Sequence, residues 1–374
     1  MRILRVAQKV YPDVKGGGPY HVHAMSRDQA DRGHDVTVLT VSDDDSKPRR
    51  EERDGYTVVR RKPTAELLGN DISSGVAKFL ASAGDYDVIH AHSHLYFSTN
   101  LAALKRRLGD IPLAITNHGL YSQNAPEWVF DAYLKTAGRW TFDSADVVLC
   151  YTEEDRERVQ GFGVNTDIEV VSNGIDQTRF TPEGPRSDLV DSDGPVVLFV
   201  GRLVDGKRPQ DAVRAFAGVH REHTDTELYL CGDGPLHDKL QTQAAELGVS
   251  EAVTFLGHVS YDEMPKVYRS ADILVLPSRA EGLPRTVLEA FAAETPAVTS
   301  DLEHVAPVVR HAGKTYPTGN TDAFEDALSE LLSNPKRAKS LGEDGRKLVN
   351  CRFRWEETVT KTTAALGRIS KVKN

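Results

Sequence analysis

Two glutamates stand eight positions apart in the run Glu281-Gly282-Leu283-Pro284-Arg285-Thr286-Val287-Leu288-Glu289-Ala290. The run follows a strand-like apolar stretch, Ile273 to Leu276, and a break at Pro277-Ser278. Pro284 suits the start of a helix. Glu281 is therefore expected in the entry loop and Glu289 in the second helical turn. A strand-to-helix turn in a doubly wound sheet lies at the carboxyl edge, where ligands bind. The first-turn N–H groups face an anion there, with the helix dipole behind them. A carboxylate well inside such a helix can accept both hydroxyls of a ribose, and one in the loop can meet a hydroxyl of a hexose. Gly282, Leu283, Pro284, Thr286 and Val287 complete this candidate ligand-binding turn.

Gly201-Arg202-Leu203 and Lys207 directly follow another apolar stretch, Val196 to Val200. A guanidinium offers fixed paired donors and an ammonium a mobile point charge, which together suit a diphosphate. Gly232-Asp233-Gly234-Pro235 follows Glu227 to Cys231 and reads as a third tight turn of the same kind, with Gly232 and Gly234 as candidate ligand-binding glycines. Each of these residues also has a plainer reading. The glutamates could be surface acids, the cations solvated charges, Gly17 and Gly18 a flexible turn, and Asn173 and Asp176 turn formers. His118 could be a packed histidine as readily as a reactive one. Convergence of these groups on strand edges favours the functional reading. His90, His92 and His94 alternate, which places them on one face of a strand, but neither Cys nor a clear carboxylate accompanies them as zinc ligands should. No metal site is expected.

The elements that must position these groups alternate between short β-rich runs and helical patterns, the form of an α/β chain with parallel sheets covered on both faces. Strands are expected at Arg2 to Gln8, Val36 to Val41, Tyr56 to Arg60, Val88 to His92, Leu113 to Thr116, Val147 to Tyr151 and Ile168 to Val171. A second set follows at Val196 to Val200, Glu227 to Cys231, Val253 to Phe255, Ile273 to Leu276 and Ala297 to Thr299. Gly16-Gly17-Gly18-Pro19 opens the first helix, and Gly33 closes it as a C-cap. Helices are also expected at Pro209 to His220 and Pro235 to Leu247. Thr181 to Pro195, rich in Pro, Gly and acids, reads as a linker between domains 1–181 and 190–352. Trp355 to Ile369 is helical, and residues 353–374 are a candidate return to the first domain.

With 374 residues the chain is long enough for two cores. Its 39% hydrophobic and 27% charged residues are those of a globular protein. No apolar run approaches the roughly 20 residues that span a bilayer, and the charged start Met1 to Ala7 carries no signal-peptide core. Three scattered cysteines, Cys150, Cys231 and Cys351, argue for a reducing, cytoplasmic setting. The net charge of -9 speaks against nucleic-acid binding. Lys105-Arg106-Arg107, Arg49-Arg50 and Lys336, Arg337 and Lys339 read first as solvated charge. Their sharper reading is a peripheral contact with anionic lipid headgroups.

The three blocks occur in order, preceded by Gly17-Gly18, Arg32-Gly33-His34-Asp35-Val36, Asp87-Val88-Ile89-His90, His118-Gly119, Ala145-Asp146 and Asn173-Gly174-Ile175-Asp176. This ordered set resembles the retaining group 1, or family 4, glycosyltransferases of the GT-B fold, over nearly the whole chain. The resemblance implies two Rossmann-like domains facing across a cleft. It implies a nucleoside-diphosphate sugar as co-substrate, no cofactor, and transfer of a hexosyl unit to a sugar or lipid-linked acceptor. Glu289 would hold the donor ribose, Glu281 would face the transferred sugar, and Arg202 and Lys207 would neutralise the diphosphate. His118, Gly17 and Gly18 would line the reaction centre from the first domain, and Asn173 would lie near the donor. Glu294 stands where such proteins carry glycine, Glu303-His304 where they carry a glycine pair, and Arg285 where they carry a small polar or apolar residue. An epimerase, a phosphorylase or a non-catalytic sugar-nucleotide sensor on the same fold stays open. The glycine runs do not complete a dinucleotide-binding fingerprint, which sets a dehydrogenase aside.

Overall fold

The computed structural model describes residues 1–67, 70–120, 127–303 and 305–371, so His304 lies outside the described residues. The chain forms two compact units, residues 1–172 with Glu357 onward, and Asn173–Glu356.

The first unit contains β1 (Arg2–Val6), α1 (Gly17–Asp31), β2 (Asp35–Val41), β3 (Arg50–Arg53), β4 (Tyr56–Arg61), the hairpin β5 (Ala65–Leu67) and β6 (Asn70–Ile72), α2 (Ser74–Ser82), β7 (Val88–His92), α3 (Phe97–Leu108), β8 (Leu113–Thr116), α4 (Glu127–Tyr133), α5 (Arg139–Asp143), β9 (Val147–Cys150), α6 (Glu153–Gly161) and β10 (Ile168–Val170). Its main sheet runs β10-β9-β8-β7-β1-β2-β4-β3. All neighbours are parallel except β3, which is antiparallel to β4. Alternate side chains of these strands feed different apolar clusters, Leu4, Val6, Ile89, Ala91 and Ile115 in one, Ile3, Val36, Val38, Val88 and Ala114 in the other. A strand buried on both faces has no polar side to show, which is why these runs read as continuous apolar stretches.

The second unit contains β11 (Val196–Val200), α7 (Pro209–Val219), β12 (Glu227–Cys231), α8 (His237–Glu246), β13 (Val253–Gly257), α9 (Met264–Ser270), β14 (Ile273–Leu276), α10 (Arg285–Ala292), β15 (Ala297–Ser300), α11 (Ala306–Val309), β16 (Gly313–Tyr316), α12 (Thr321–Leu332) and α13 (Pro335–Arg352). The last helix, α14, spans Trp355–Lys371. The sheet order is β13-β12-β11-β14-β15-β16, parallel throughout. The strand order reverses between β11 and β14. Such a reversal at the carboxyl edge is where doubly wound sheets bind ligands.

The units divide at Ser172/Asn173, earlier than the expected linker at Thr181 to Pro195. The physical reason is that residues 173–195 are tied down in the second unit. Ile175 pairs with Arg354, and its N–H donates to the Phe353 carbonyl at 2.8 Å. The Phe180 ring meets Tyr261 and Tyr268 edge-on, and Arg269 donates to the carbonyls of Thr181 and Pro185. Proline and acid content marks irregular backbone, and here that backbone is packed.

Candidate active site

At the switch point of the second unit, Lys207 comes from the loop after β11 and Glu281 from the loop after β14. Their side chains form an ion pair, and the Glu281 carboxylate is only 5% exposed. The Arg279 N–H donates to the Gly206 carbonyl at 2.9 Å and ties the two loops together. Arg202 is exposed on the same β11 loop. Pro284 is the N-cap of α10, and Gly282, Leu283 and Pro284 are buried with Glu281. Thr286 is half-buried. The Val287 side chain is wholly enclosed, and its N–H turns back to the Pro284 carbonyl at 3.2 Å. Val287 is therefore a core residue of the helix that carries the site.

Glu289 lies in the second turn of α10 and is buried. Tyr261 donates to its Oε1 at 3.2 Å and Tyr268 to its Oε2 at 3.0 Å. Burial raises the Glu289 carboxyl above the usual range, while Arg285 and the two tyrosines oppose the shift. The same surroundings push the Tyr268 hydroxyl well up, burial first and the Glu289 charge second. Each carboxylate oxygen keeps acceptor capacity beyond its tyrosine, since an ionised carboxylate has about four lone-pair sites. Tyr261 follows β13 and so sits at the carboxyl edge, a position that the strand-edge rule could have flagged. Tyr268 looks like an ordinary core residue of α9, and no sequence signal marks it.

Gly232 and Gly234 owe their identity to close backbone packing. A Cβ on Gly232 would sit 1.9 Å from the Gly201 carbonyl oxygen, and one on Gly234 would sit 2.5 Å from that of Leu203. Both have positive φ, 145° and 158°. The loops after β11 and β12 thus brace one another, as the Leu203 N–H bond to the Asp233 carbonyl also shows. Asn173 is buried, with its Oδ1 accepting from Arg285 at 3.3 Å. Asp176 caps a turn by accepting from the N–H and hydroxyl of Thr178.

In the first unit, β1 and β7 flank the corresponding reversal of strand order. Gly17 and Gly18 are the first residues of α1 rather than a loop, and Gly16 is the N-cap at φ 138°. A Cβ on Gly18 would meet nothing within 4 Å. His118 follows β8. Its Nδ1 is 2.8 Å from the Tyr151 hydroxyl and its Nε2 is 3.0 Å from His92 Nδ1. His21 of α1 packs edge-on against it at 5.4 Å. Behind it, the rings of His92 and His90 lie 4.4 Å apart. His90 Nε2 reaches Thr116 at 2.7 Å, and its Nδ1 faces the guanidinium of Arg5 at 3.3 Å. A guanidinium cannot accept, so His90 Nδ1 is the acceptor and its Nε2 carries the proton. Burial lowers His118 to about 4 and holds His90 and His92 well below the usual histidine range. His118 is thus neutral near pH 7 with both ring nitrogens engaged inside the unit.

The three alternating histidines do not share a face. β7 ends at His92, and Ser93 adopts a left-handed φ of 64°. That turn breaks the two-residue period and sends His94 to Phe142 and Tyr133. Among the described residues, no group of three or more His, Cys, Asp or Glu is placed to hold a metal ion. Cys150 and Cys231 are buried free thiols, and Cys351 is exposed. Among the described residues, no helix is long and apolar enough to cross a membrane.

Comparison with known proteins agrees with this geometry. Residues 15–179 match the family described as Glycosyltransferase Family 4, and residues 181–348 match Glycosyl transferases group 1. The chain is 30% identical to a glycogen synthase of Mycobacterium tuberculosis, covering 97% of this chain and 93% of that protein. It is 28% identical to a GDP-mannose-dependent alpha-(1-6)-phosphatidylinositol monomannoside mannosyltransferase of Mycolicibacterium smegmatis, covering 92% and 93%. Among solved structures, sucrose-phosphate synthase from Thermosynechococcus elongatus aligns with a TM-score of 0.84 at 20% identity, over 99% of both chains. Anabaena HepE in complex with UDP and glucose aligns with a TM-score of 0.82 at 20% identity, over 98% and 100%. Two parallel-sheet units, a charged switch point in the second and family matches along both halves lead to one conclusion: the chain belongs to the group 1 (family 4) glycosyltransferases and is a glycosyltransferase of the GT-B fold.

Proposed function

We propose that this glycosyltransferase moves a hexosyl unit from a nucleoside-diphosphate sugar to a hydroxyl of a sugar or lipid-linked acceptor, with retention of configuration, in glycan, glycolipid or polysaccharide synthesis. The observation that carries the reading is the switch point of the second unit. Lys207 and a buried carboxylate meet there just before the start of α10, with Arg202 on the same β11 loop, a combination suited to a diphosphate and its sugar. On this reading Glu289 accepts the ribose hydroxyls and Glu281 faces the transferred sugar. Lys207 is shared between Glu281 and the diphosphate, and Arg202 adds a second cation. In the first unit His118 is the catalytic candidate, and Gly17 and Gly18 are donor-binding. On this reading retention comes from attack on the leaving-group face, assisted by the departing phosphate. Catalysis is then positioning and charge stabilisation.

The reading includes transfer without a divalent metal, because Arg202, Lys207 and the helix start supply the positive field that a metal would. The Asp43-Asp44-Asp45 triplet follows β2 on the surface. Asp87 caps the Arg2 N–H at 2.7 Å, and Asp191 and Asp193 lie before β11. A cytoplasmic setting, with peripheral contact to anionic headgroups where the acceptor is lipid-linked, completes the proposal. The experiment is calorimetry with ADP, GDP and UDP on wild type and Glu289→Ala. We expect binding of at least one diphosphate and a loss of about 1.5–3 kcal/mol in the variant, the scale of hydrogen bonds to a charged group. Equal affinity in a folded variant would remove Glu289 from the donor. Initial rates after exhaustive EDTA treatment test the metal claim, and activity abolished and restored only by Mg²⁺ or Mn²⁺ would sink it.

A further inference from the structure

Arg285 lies between the two glutamates in sequence and opens α10. It is only 9% exposed. A buried guanidinium costs several kcal/mol unless its charge and N–H groups are met, so its partners are informative. Nη1 donates to Asn173 Oδ1 at 3.3 Å and to the Gly174 carbonyl at 3.2 Å. Nη2 donates to the Tyr261 hydroxyl at 3.0 Å. Nε lies 3.5 Å from Glu289 Oε1, a charge contact along one helical turn. The Trp355 ring faces the guanidinium at 5.8 Å.

These contacts order a chain of protons. The guanidinium only donates, so the Tyr261 oxygen accepts from it and the Tyr261 proton is directed to Glu289 Oε1, 3.2 Å away. Tyr261 is itself held. The Arg179 guanidinium lies 4.4 Å over its ring, and Phe180 packs edge-on at 5.5 Å. Tyr268 covers the other carboxylate oxygen. Both oxygens of Glu289 are thereby kept as acceptors, each with one lone pair committed.

We propose that Arg285 is a positioning residue for the donor nucleotide: through Tyr261 and its direct contact with Glu289 it holds that carboxylate as a fixed two-oxygen acceptor for the vicinal diol of a ribose. The inference rests on the reading that Glu289 meets the donor ribose. The groups facing Glu289 are Arg285 on its own helix, Tyr268 from α9, Tyr261 from the loop after β13, Cys231 at the end of β12 and, farther off, Arg179. Burial pushes the carboxyl up, and Arg285 is the largest opposing influence. Without it the carboxyl rises further, and the acceptor is lost as pH falls through that higher value.

The test is the dissociation constant of whichever of ADP, GDP or UDP binds wild type best, and of its 2′-deoxy analogue, from pH 5.5 to 8.5. Arg285→Met should weaken the ribonucleotide roughly tenfold or more at pH 7. Its ratio to wild type should worsen at pH 6 and recover toward pH 8.5, and the preference for ribo over deoxy should shrink toward one. Arg285→Lys should restore part of both. Turnover at saturating donor should change much less than the Michaelis constant. Tyr261→Phe keeps the ring packed against Phe180 and Arg179, and should lose part of the ribo preference even if Arg285→Met folds poorly. If these variants only lower the melting temperature, with the ribo preference and the pH dependence of wild type, the proposal is wrong and Arg285 merely packs α10. If Glu289→Ala also leaves the ribo preference intact, the ribose reading fails with it. Loss of that preference in Glu289→Ala alone overturns only the role of Arg285.

Discussion

The Lys207–Glu281 pair separates two cations that look equivalent in sequence. Lys207 shares its charge with a buried carboxylate, whereas Arg202 is exposed. On the proposed reading, negative charge grows on a diphosphate as the glycosidic bond breaks, so both cations would act most strongly in the transition state. Arg202→Ala and Lys207→Ala should each lower kcat more than donor affinity. Lys207→Ala should also lower stability, by about 1–3 kcal/mol, because it strands the Glu281 charge. Adding Glu281→Gln to Lys207→Ala should recover the melting temperature without recovering turnover. A raised Michaelis constant with kcat intact would make these residues ground-state binders. The two glutamates and two cations were legible as candidates in the run of residues because their types follow apolar, strand-like stretches. Their pairing was not, since Lys207 and Glu281 meet only when β11 and β14 become neighbours.

The end of α10 shows how an element tolerates a departure from the family pattern. Ala293 caps the helix and Glu294 follows at a left-handed φ of 62°. The Glu294 N–H donates to the Phe291 carbonyl and the Thr295 N–H to that of Ala290, the bonding of a Schellman turn that favours glycine. Glu294 therefore stands at a helix end, two turns from the site-forming start of α10, and its departure bears on backbone strain. A non-glycine residue in this conformation costs about 1–2 kcal/mol, partly offset by the larger entropy that glycine loses on folding. Glu294→Gly should stabilise the protein by about 0.5–1 kcal/mol with donor affinity unchanged. Thermal melts and calorimetry check both, and a destabilised variant would show that the Glu294 side chain contributes more than its backbone costs. The neighbouring helix enforces the turn: a Cβ on Gly342 would sit 1.9 Å from the Glu294 carbonyl oxygen. Among the strands that pattern reading misses, besides the hairpin β5–β6, are β3, whose Arg-Glu-Glu-Arg sequence has no apolar face, and β16, short and half-buried. β3 and β16 are edge strands, where burial on both faces no longer dictates composition.

At the scale of the whole molecule, the buried histidines among the described residues lie in the first unit. Burial lowers His23 to about 4, His94 to about 3 and His118 to about 4, and holds His90 and His92 well below the usual value. In the unfolded chain these groups titrate near 6.5. Between about pH 6.5 and 4 the unfolded chain therefore binds protons that the native unit refuses, and stability falls as pH falls. The stabilisation is fully present above about pH 6.5. Glu289, raised by burial, acts in the opposite sense in the second unit. The melting temperature should fall by roughly 10 °C or more from pH 7 to 5, since about 1 kcal/mol is worth 2–4 °C in a domain of this size. Limited proteolysis at pH 5 should cleave first within residues 1–172. A flat melting temperature over that range, or first cleavage within 196–352, would contradict this account.

What the sequence determined by itself is everything set by local pattern. Strands buried on both faces must be apolar throughout, so Val196–Val200, Ile273–Leu276 and Leu113–Thr116 are visible as such. Charged or glycine-rich turns must follow strands that feed a ligand edge. Tertiary structure alone decided which turns are neighbours, because strand order places β14 beside β11 across 72 intervening residues, 201–272. It decided that Tyr261, Tyr268 and Arg285 enclose Glu289, that Ser93 turns His94 away from His92, and that residues 173–195 belong to the second unit. Each of these depends on contacts between segments far apart in the chain, and a one-dimensional pattern carries no record of them.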